Sequence, residues 1–164
     1  MAYVKLKNLF EEQSLLNDIN GILNWDMATY MPQKSRNQRV RQIQKILDYK
    51  KSIFDQIKKN ELFKKINDSS LSPEDKLNLN LMRDKFEYFD IVPYEYIKKK
   101  TSLAILCEGE WRKAKIKSNF NLVKKSFKKL VDVIKIESEI LSQKKDKTKY
   151  DCLLSKYDRS LTSS

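Results

Sequence analysis

The sequence predicts an all-α fold of about five long antiparallel helices, and three observations predict it. Only 2 glycines and 3 prolines punctuate 164 residues, and strands need the turns that those residues make. Apolar side chains recur at intervals of three, four and seven, which is one face of a helix. Corners fall at Met31-Pro32 and Val92-Pro93, because the residue before a proline disfavours the helical region.

The first helix covers residues 3–24, with Leu6, Leu9, Phe10, Leu16, Ile19 and Leu23 on its apolar face. It runs into Asn24-Trp25-Asp26 and stops at Met31-Pro32. In the second, Val40, Ile43, Leu47, Phe54 and Ile57 make the stripe, while Arg36, Arg39, Arg41 and Lys45 fall mainly on other faces. It ends near Lys59 or continues as a short turn to Ile66. A polar break, Asp68 to Pro73, follows. Ser72 is suited to cap the third helix, with Pro73 at its first position and Glu74 and Asp75 in its first turn. That helix runs to about Asp90 on Leu79, Met82, Phe86 and Phe89. The fourth, about 94–117, contains Ile97, Ala104, Ile105, Trp111 and Ala114. Asn119 can cap the fifth, where Phe120, Val123, Phe127, Leu130, Ile134 and Leu141 repeat at helical spacing. A charged loop, Lys144 to Lys149, leads to one or two last turns over Tyr150 to Tyr157, and the tail from Ser160 is expected to fray. No internal repeat, low-complexity tract or hairpin pattern interrupts the series.

Hydrophobic residues make up 40% of the chain and charged residues 34%, enough apolar surface for a core. Residues 1–164 read as a single helical segment. The net charge is +12. Residues 1–90 carry 16 basic and 13 acidic side chains, and residues 91–164 carry 18 and 9. A field of +9 in the second part can attract polyanions. However, 28 of the 34 cations are Lys, spread along helix faces, and that pattern does not favour a nucleic-acid partner. Two cysteines, Cys107 and Cys152, do not make a disulfide framework. The N-terminus has no apolar run of leader length, and no stretch approaches a membrane span. A cytoplasmic location is expected.

Histidine is absent. The chain therefore lacks the commonest neutral-pH acid/base group and the commonest zinc ligand. An H-E-x-x-H zinc helix cannot be formed, two cysteines do not complete a thiolate site, and no phosphate-cradling G-x-x-x-x-G-K occurs. Of the acidic pairs, Glu11 and Glu12 are adjacent, while Glu108/Glu110 and Glu137/Glu139 are two apart. None of these spacings makes two carboxylates converge on a helix. Asp26, beside Trp25 and before the basic second helix, is expected to form a structural ion pair or cap; the functional alternative is a groove wall. Trp111 is expected in the core, and Cys107 as a small buried hydrophobe. No catalytic, cofactor-binding or metal-binding residue is assigned.

Several motifs together resemble the carboxypeptidase Taq family of zinc metallocarboxypeptidases. Trp25-Asp26-Met27-Ala28-Thr29-Tyr30-Met31-Pro32, followed by Arg39 and Gln42, is similar to the family's W-D-x-x-T-x-M-P stretch and R-x-x-Q helix. Ala2-Tyr3 and Leu6 fit its opening. Val92-Pro93, then Trp111-Arg112-Lys113-Ala114 with Phe120, resemble its V-P and W-x-x-A signatures. Tyr150-Asp151-Cys152-Leu153-Leu154 with Tyr157 resembles its Y-D-x-L-L element. Asn119 stands where many members have Asp, and Asp158-Arg159-Ser160-Leu161 replaces an E-P-G-like turn.

The resemblance implies an all-helical, cytoplasmic enzyme, often dimeric, that removes residues from peptide C-termini. Zinc, or a similar divalent metal, would sit on H-E-x-x-H plus a downstream Glu, in a groove partly walled by the N-terminal helices. The catalytic motifs would follow the last residue read here. The expectation is an N-terminal portion, inactive alone, whose partner is a separate C-terminal catalytic polypeptide or a second copy. Peptide substrate belongs to the full-length enzyme only. The alternatives are a non-catalytic helical interaction module and a gene remnant.

Overall fold

Helix α1 spans Ala2–Thr29. Leu6, Leu9 and Gln13 are its buried residues, at steps of three and four. In the computed structural model, which describes residues 1–158 and 161–163, the remaining helices are α2 (Arg36–Lys59), α3 (Pro73–Ile91), α4 (Tyr94–Ile116), α5 (Asn121–Lys145) and α6 (Lys149–Leu154). Short 3-10 turns at Gln33–Ser35, Leu62–Lys65 and Asp68–Ser70 complete the described backbone, which is all-α. Arg159, Ser160 and Ser164 lie outside the described residues. The departure expected at Asp158-Arg159-Ser160-Leu161 and the frayed tail therefore fall partly outside them. No described helix is long and apolar enough to cross a membrane.

The chain divides into two compact units, Met1–Asp90 and Ile91–Ser164. In the first, α1 and α2 pack side by side. Gln13 Nε2 donates to the Lys50 carbonyl at 2.6 Å, and Arg39 reaches the Leu23 carbonyl. Residues early in one helix thus meet residues late in the other, so the pair is antiparallel. Leu6, Phe54, Ile57, Leu62, Leu79 and Met82 close the core, with contributions from α1, α2, the turn after it, and α3. Phe54 meets Phe89 at 4.4 Å between ring centroids and Phe86 at 5.9 Å, and such aromatic pairs add to simple area burial. The Tyr3 hydroxyl donates to Asp75 at 2.7 Å, joining α1 to α3. Ser72 caps α3 by accepting the Asp75 N–H at 3.1 Å, as its sequence position predicts.

In the second unit, α4 and α5 are also antiparallel. Cys107 and Ala114 pack with Val123 and Leu130, and Lys100 pairs with Glu137. The end of α4 is closed by two backbone bonds: Ser118 N–H to the Lys115 carbonyl and Asn119 N–H to the Ala114 carbonyl, 3.1 and 2.9 Å. This pattern requires a left-handed residue at its pivot, and Ser118 supplies it with φ 46°. The Asn119 side chain then accepts the Asn121 N–H at 3.0 Å, at the start of α5. Thr148 caps α6 by accepting the Asp151 N–H.

Several expectations are corrected here. Ile19, expected on the apolar face of α1 with Leu6 and Leu9, is 48% exposed, and Phe120 and Phe127, expected on that of α5, are 60% and 49% exposed. Arg39 does not lie on an outer face of α2. It sits one turn before Ile43 and is 9% exposed. Trp111 is not in the core. It is half-exposed, with the Lys115 ammonium 5.3 Å from its ring centre. The partner that pulls Arg39 inward lies on another helix, which periodicity within one helix does not register.

Candidate functional site

The most specific motif residues meet where α1 turns into α2. Helix α1 ends because its last carbonyls find local partners. The Asp26 carbonyl accepts the N–H groups of Tyr30 and Met31, at 3.0 and 2.9 Å, and the Thr29 hydroxyl donates to the Trp25 carbonyl at 2.8 Å. Pro32, with φ −58° and ψ 138°, then takes the chain out of the helix. Arg39 spans this corner from α2. Its Nη2 pairs with the Asp26 carboxylate and its Nη1 with the Leu23 carbonyl, while Nε donates to Gln42 Oε1 at 2.9 Å. Five planar donors in a fixed fork suit arginine to such a cluster. Asp26, Thr29, Pro32, Arg39 and Gln42 are thus parts of one corner lock.

Asp26 forms the structural ion pair expected of it. Its carboxylate is neutralised by a guanidinium that is itself held from two other directions. The Trp25 side chain is not part of the lock. It is 59% exposed, and its ring meets that of Tyr30 at 5.6 Å, edge to face.

The second unit contains a buried charged cluster that spacing alone does not reveal. Glu137 on α5 is 1% exposed. Its Oε2 pairs with Lys100 of α4 at 2.6 Å, and its Oε1 pairs with Lys156, just beyond α6. Burial opposes ionisation of Glu137, but the two ammonium groups outweigh it and hold the carboxyl below the usual range. Burial lowers Lys100, more than its bond to Glu137 raises it, and the charge of Lys156 adds to the lowering. Glu137 occupies a core register, four residues after Val133 and four before Leu141. An acid at that register is the sequence pattern that marks a buried partner. Like-sign lysines flanking one acid make this a clamp among three elements.

The other acidic residues do not converge. Glu108 pairs with Arg112 one turn along α4, and Glu139 pairs with Lys149. Glu11, Glu12 and Glu110 are exposed. Cys107 is buried, as expected, and so is Cys152, whose thiol burial pushes up. Among the described residues, no three of His, Cys, Asp and Glu are grouped to hold a metal ion.

Comparison with known proteins places this architecture. Two solved structures match nearly the whole chain. One, of a protein designated CHT, has a TM-score of 0.71 and 17% identity, over 98% of this chain and 32% of that one. The other, Trypanosoma cruzi metallocarboxypeptidase 1, has a TM-score of 0.70 and 19% identity, over 99% of this chain and 33% of that one. At such identities the likeness is one of fold. The chain spans about a third of the length of each. No curated protein sequence matches it. The family model described as carboxypeptidase Taq (M32) metallopeptidase matches residues 5–164. With that match over almost its whole length, the chain belongs to the carboxypeptidase Taq family of metallopeptidases.

Proposed function

We propose that these 164 residues are the N-terminal portion of a cytoplasmic, zinc-dependent metallocarboxypeptidase, and that they supply structure rather than catalysis. The observation that carries this reading is the absence of histidine. The family is one of metallopeptidases, yet the residues here do not fit a catalytic metal. No His is available, and the described acids and thiols form no ligand group. No catalytic step is therefore assigned to this chain. The corner lock at Asp26 and Arg39 and the clamp at Glu137 hold helices in place around a catalytic portion that lies outside these residues.

The test is release of a free C-terminal amino acid from a peptide. With zinc added, the purified chain is expected to release no more than a blank, and addition of the catalytic portion is expected to restore release. Metal-dependent release by the pure chain would overturn the reading.

A further inference from the structure

The side of α1 that faces away from its core has no role in the corner lock. Leu15, Ile19, Ile22 and Trp25 follow one another at steps of four, three and three, so each lies beside the next along one side of the helix. They are 60%, 48%, 65% and 59% exposed. The opposite side buries Leu6, Leu9 and Gln13 in the first unit. A helix apolar on both sides belongs in an interior, and α1 is covered on one. From Ile19 to Tyr30 the one side chain charged at neutral pH is Asp26, and Arg39 holds it. Three turns of helix thus face water without a free carboxylate or ammonium.

Gly21 is an independent observation on the same helix. Glycine inside a helix costs about 0.5–1 kcal/mol relative to alanine. A Cβ built at Gly21 would meet nothing within 4 Å, so nothing within the described chain requires its absence. Gly21 lies one turn before Trp25. A glycine next to an exposed tryptophan offers close backbone approach beside a large aromatic anchor, and tryptophan and tyrosine are the side chains that dominate docking energies.

The length matched points to a candidate for what covers this side. The chain accounts for 32% and 33% of the two similar structures, so about two-thirds of each lies outside the part matched. We infer that the Leu15 to Trp25 side of α1 is the surface on which the catalytic portion of the metallocarboxypeptidase fold docks, its backbone passing closest at Gly21. The inference rests on the proposed function and adds the surface by which the two portions meet.

The experiment places a photo-cross-linking residue at Ile22 of the full chain, made in its source cells, with a second version carrying it at Phe127, which is exposed on α5. Linked peptides are identified by mass. The expected result is a link from position 22 to a sequence of this family that carries H-E-x-x-H. Adding Gly21→Leu to the same chain should cut that link by about tenfold or more, a loss of about 1.4 kcal/mol in docking. The free Gly21→Leu chain should melt no lower than the parent, since its new side chain meets open space. Ile19→Lys should give the same loss by another route. If the family sequence links from Phe127 and not from position 22, the surface is wrong while the proposed function stands. If it links from neither, the proposed function fails and the surface with it. Links from position 22 to a second copy of this chain, or yield unchanged by Gly21→Leu, would also overturn the assignment.

Discussion

A guanidinium that is 9% exposed has little water to turn to, so the protein must satisfy its donors. Arg39 has a carboxylate, a backbone carbonyl and an amide oxygen around it. Arg39→Lys keeps the charge and loses the fork, leaving two of these acceptors without a donor. Breaking a buried pair costs about 3–5 kcal/mol. Asp26 is 35% exposed on its side chain, so solvent relieves part of the loss and about 1–3 kcal/mol is expected. The midpoint of urea unfolding, followed by Trp25 fluorescence, measures it. Ser118 is the opposite case. Its φ of 46° is strained for any residue with a Cβ, by about 1 kcal/mol, and Ser118→Gly removes that strain. Greater freedom of the unfolded chain offsets part of the gain, so a net rise of about 0.5 kcal/mol is expected. A thermal melt that falls instead would show that the serine is needed there. At this scale the sequence is least transparent. Arg39 reads as one more cation on a basic helix, because its inward turn depends on Asp26, thirteen residues away. Gln13 and Glu137 lie at core spacing, but their partners, the Lys50 carbonyl, Lys100 and Lys156, are set by packing.

At the scale of elements, the reading from sequence goes further. Helix starts and stops are written in local chemistry: Ser72 before Pro73, proline at 32 and 93, and Asn119 ahead of α5 all act where their types predict. What spacing does not supply is the tie between elements. Glu137 holds α4, α5 and the segment after α6 together, and this gives the second unit a pH dependence. The folded state depresses the Glu137 pKa below its unfolded value of about 4.3. The unfolded state therefore takes up protons first as the pH falls, so stability drops below about 4.3 and is lost through the lower folded value. Trp111 fluorescence during urea unfolding, measured between neutral pH and about pH 3, should record this loss. Glu137→Gln should flatten that dependence. At neutral pH it should also lower stability by about 3 kcal/mol, since Lys100 and Lys156 would lose the buried carboxylate they share. A variant that keeps both the acid sensitivity and the parent stability would remove Glu137 from the explanation.

The whole molecule carries a charge of +12, and its distribution makes a prediction that neither residue nor helix does. Residues 1–90 have an excess of three cations and residues 91–164 an excess of nine. These spans are the two compact units, and each unit has one tryptophan, Trp25 or Trp111. Self-repulsion destabilises a folded unit in proportion to its imbalance. Raising salt from about 0.01 M to about 0.15 M shortens the screening length from about 30 Å to about 8 Å. Repulsion among lysines spread over several helices is then suppressed, while contact pairs such as Glu137 with Lys100 are screened much less. Salt should therefore raise the melting temperature of the second unit more than that of the first. Two single-tryptophan chains, Trp25→Phe and Trp111→Phe, report the units separately. Equal shifts would mean that local pairing, rather than the excess of cations, sets the stability of residues 91–164. A larger shift at Trp111 would show that the excess of cations, rather than local pairing, limits the stability of residues 91–164.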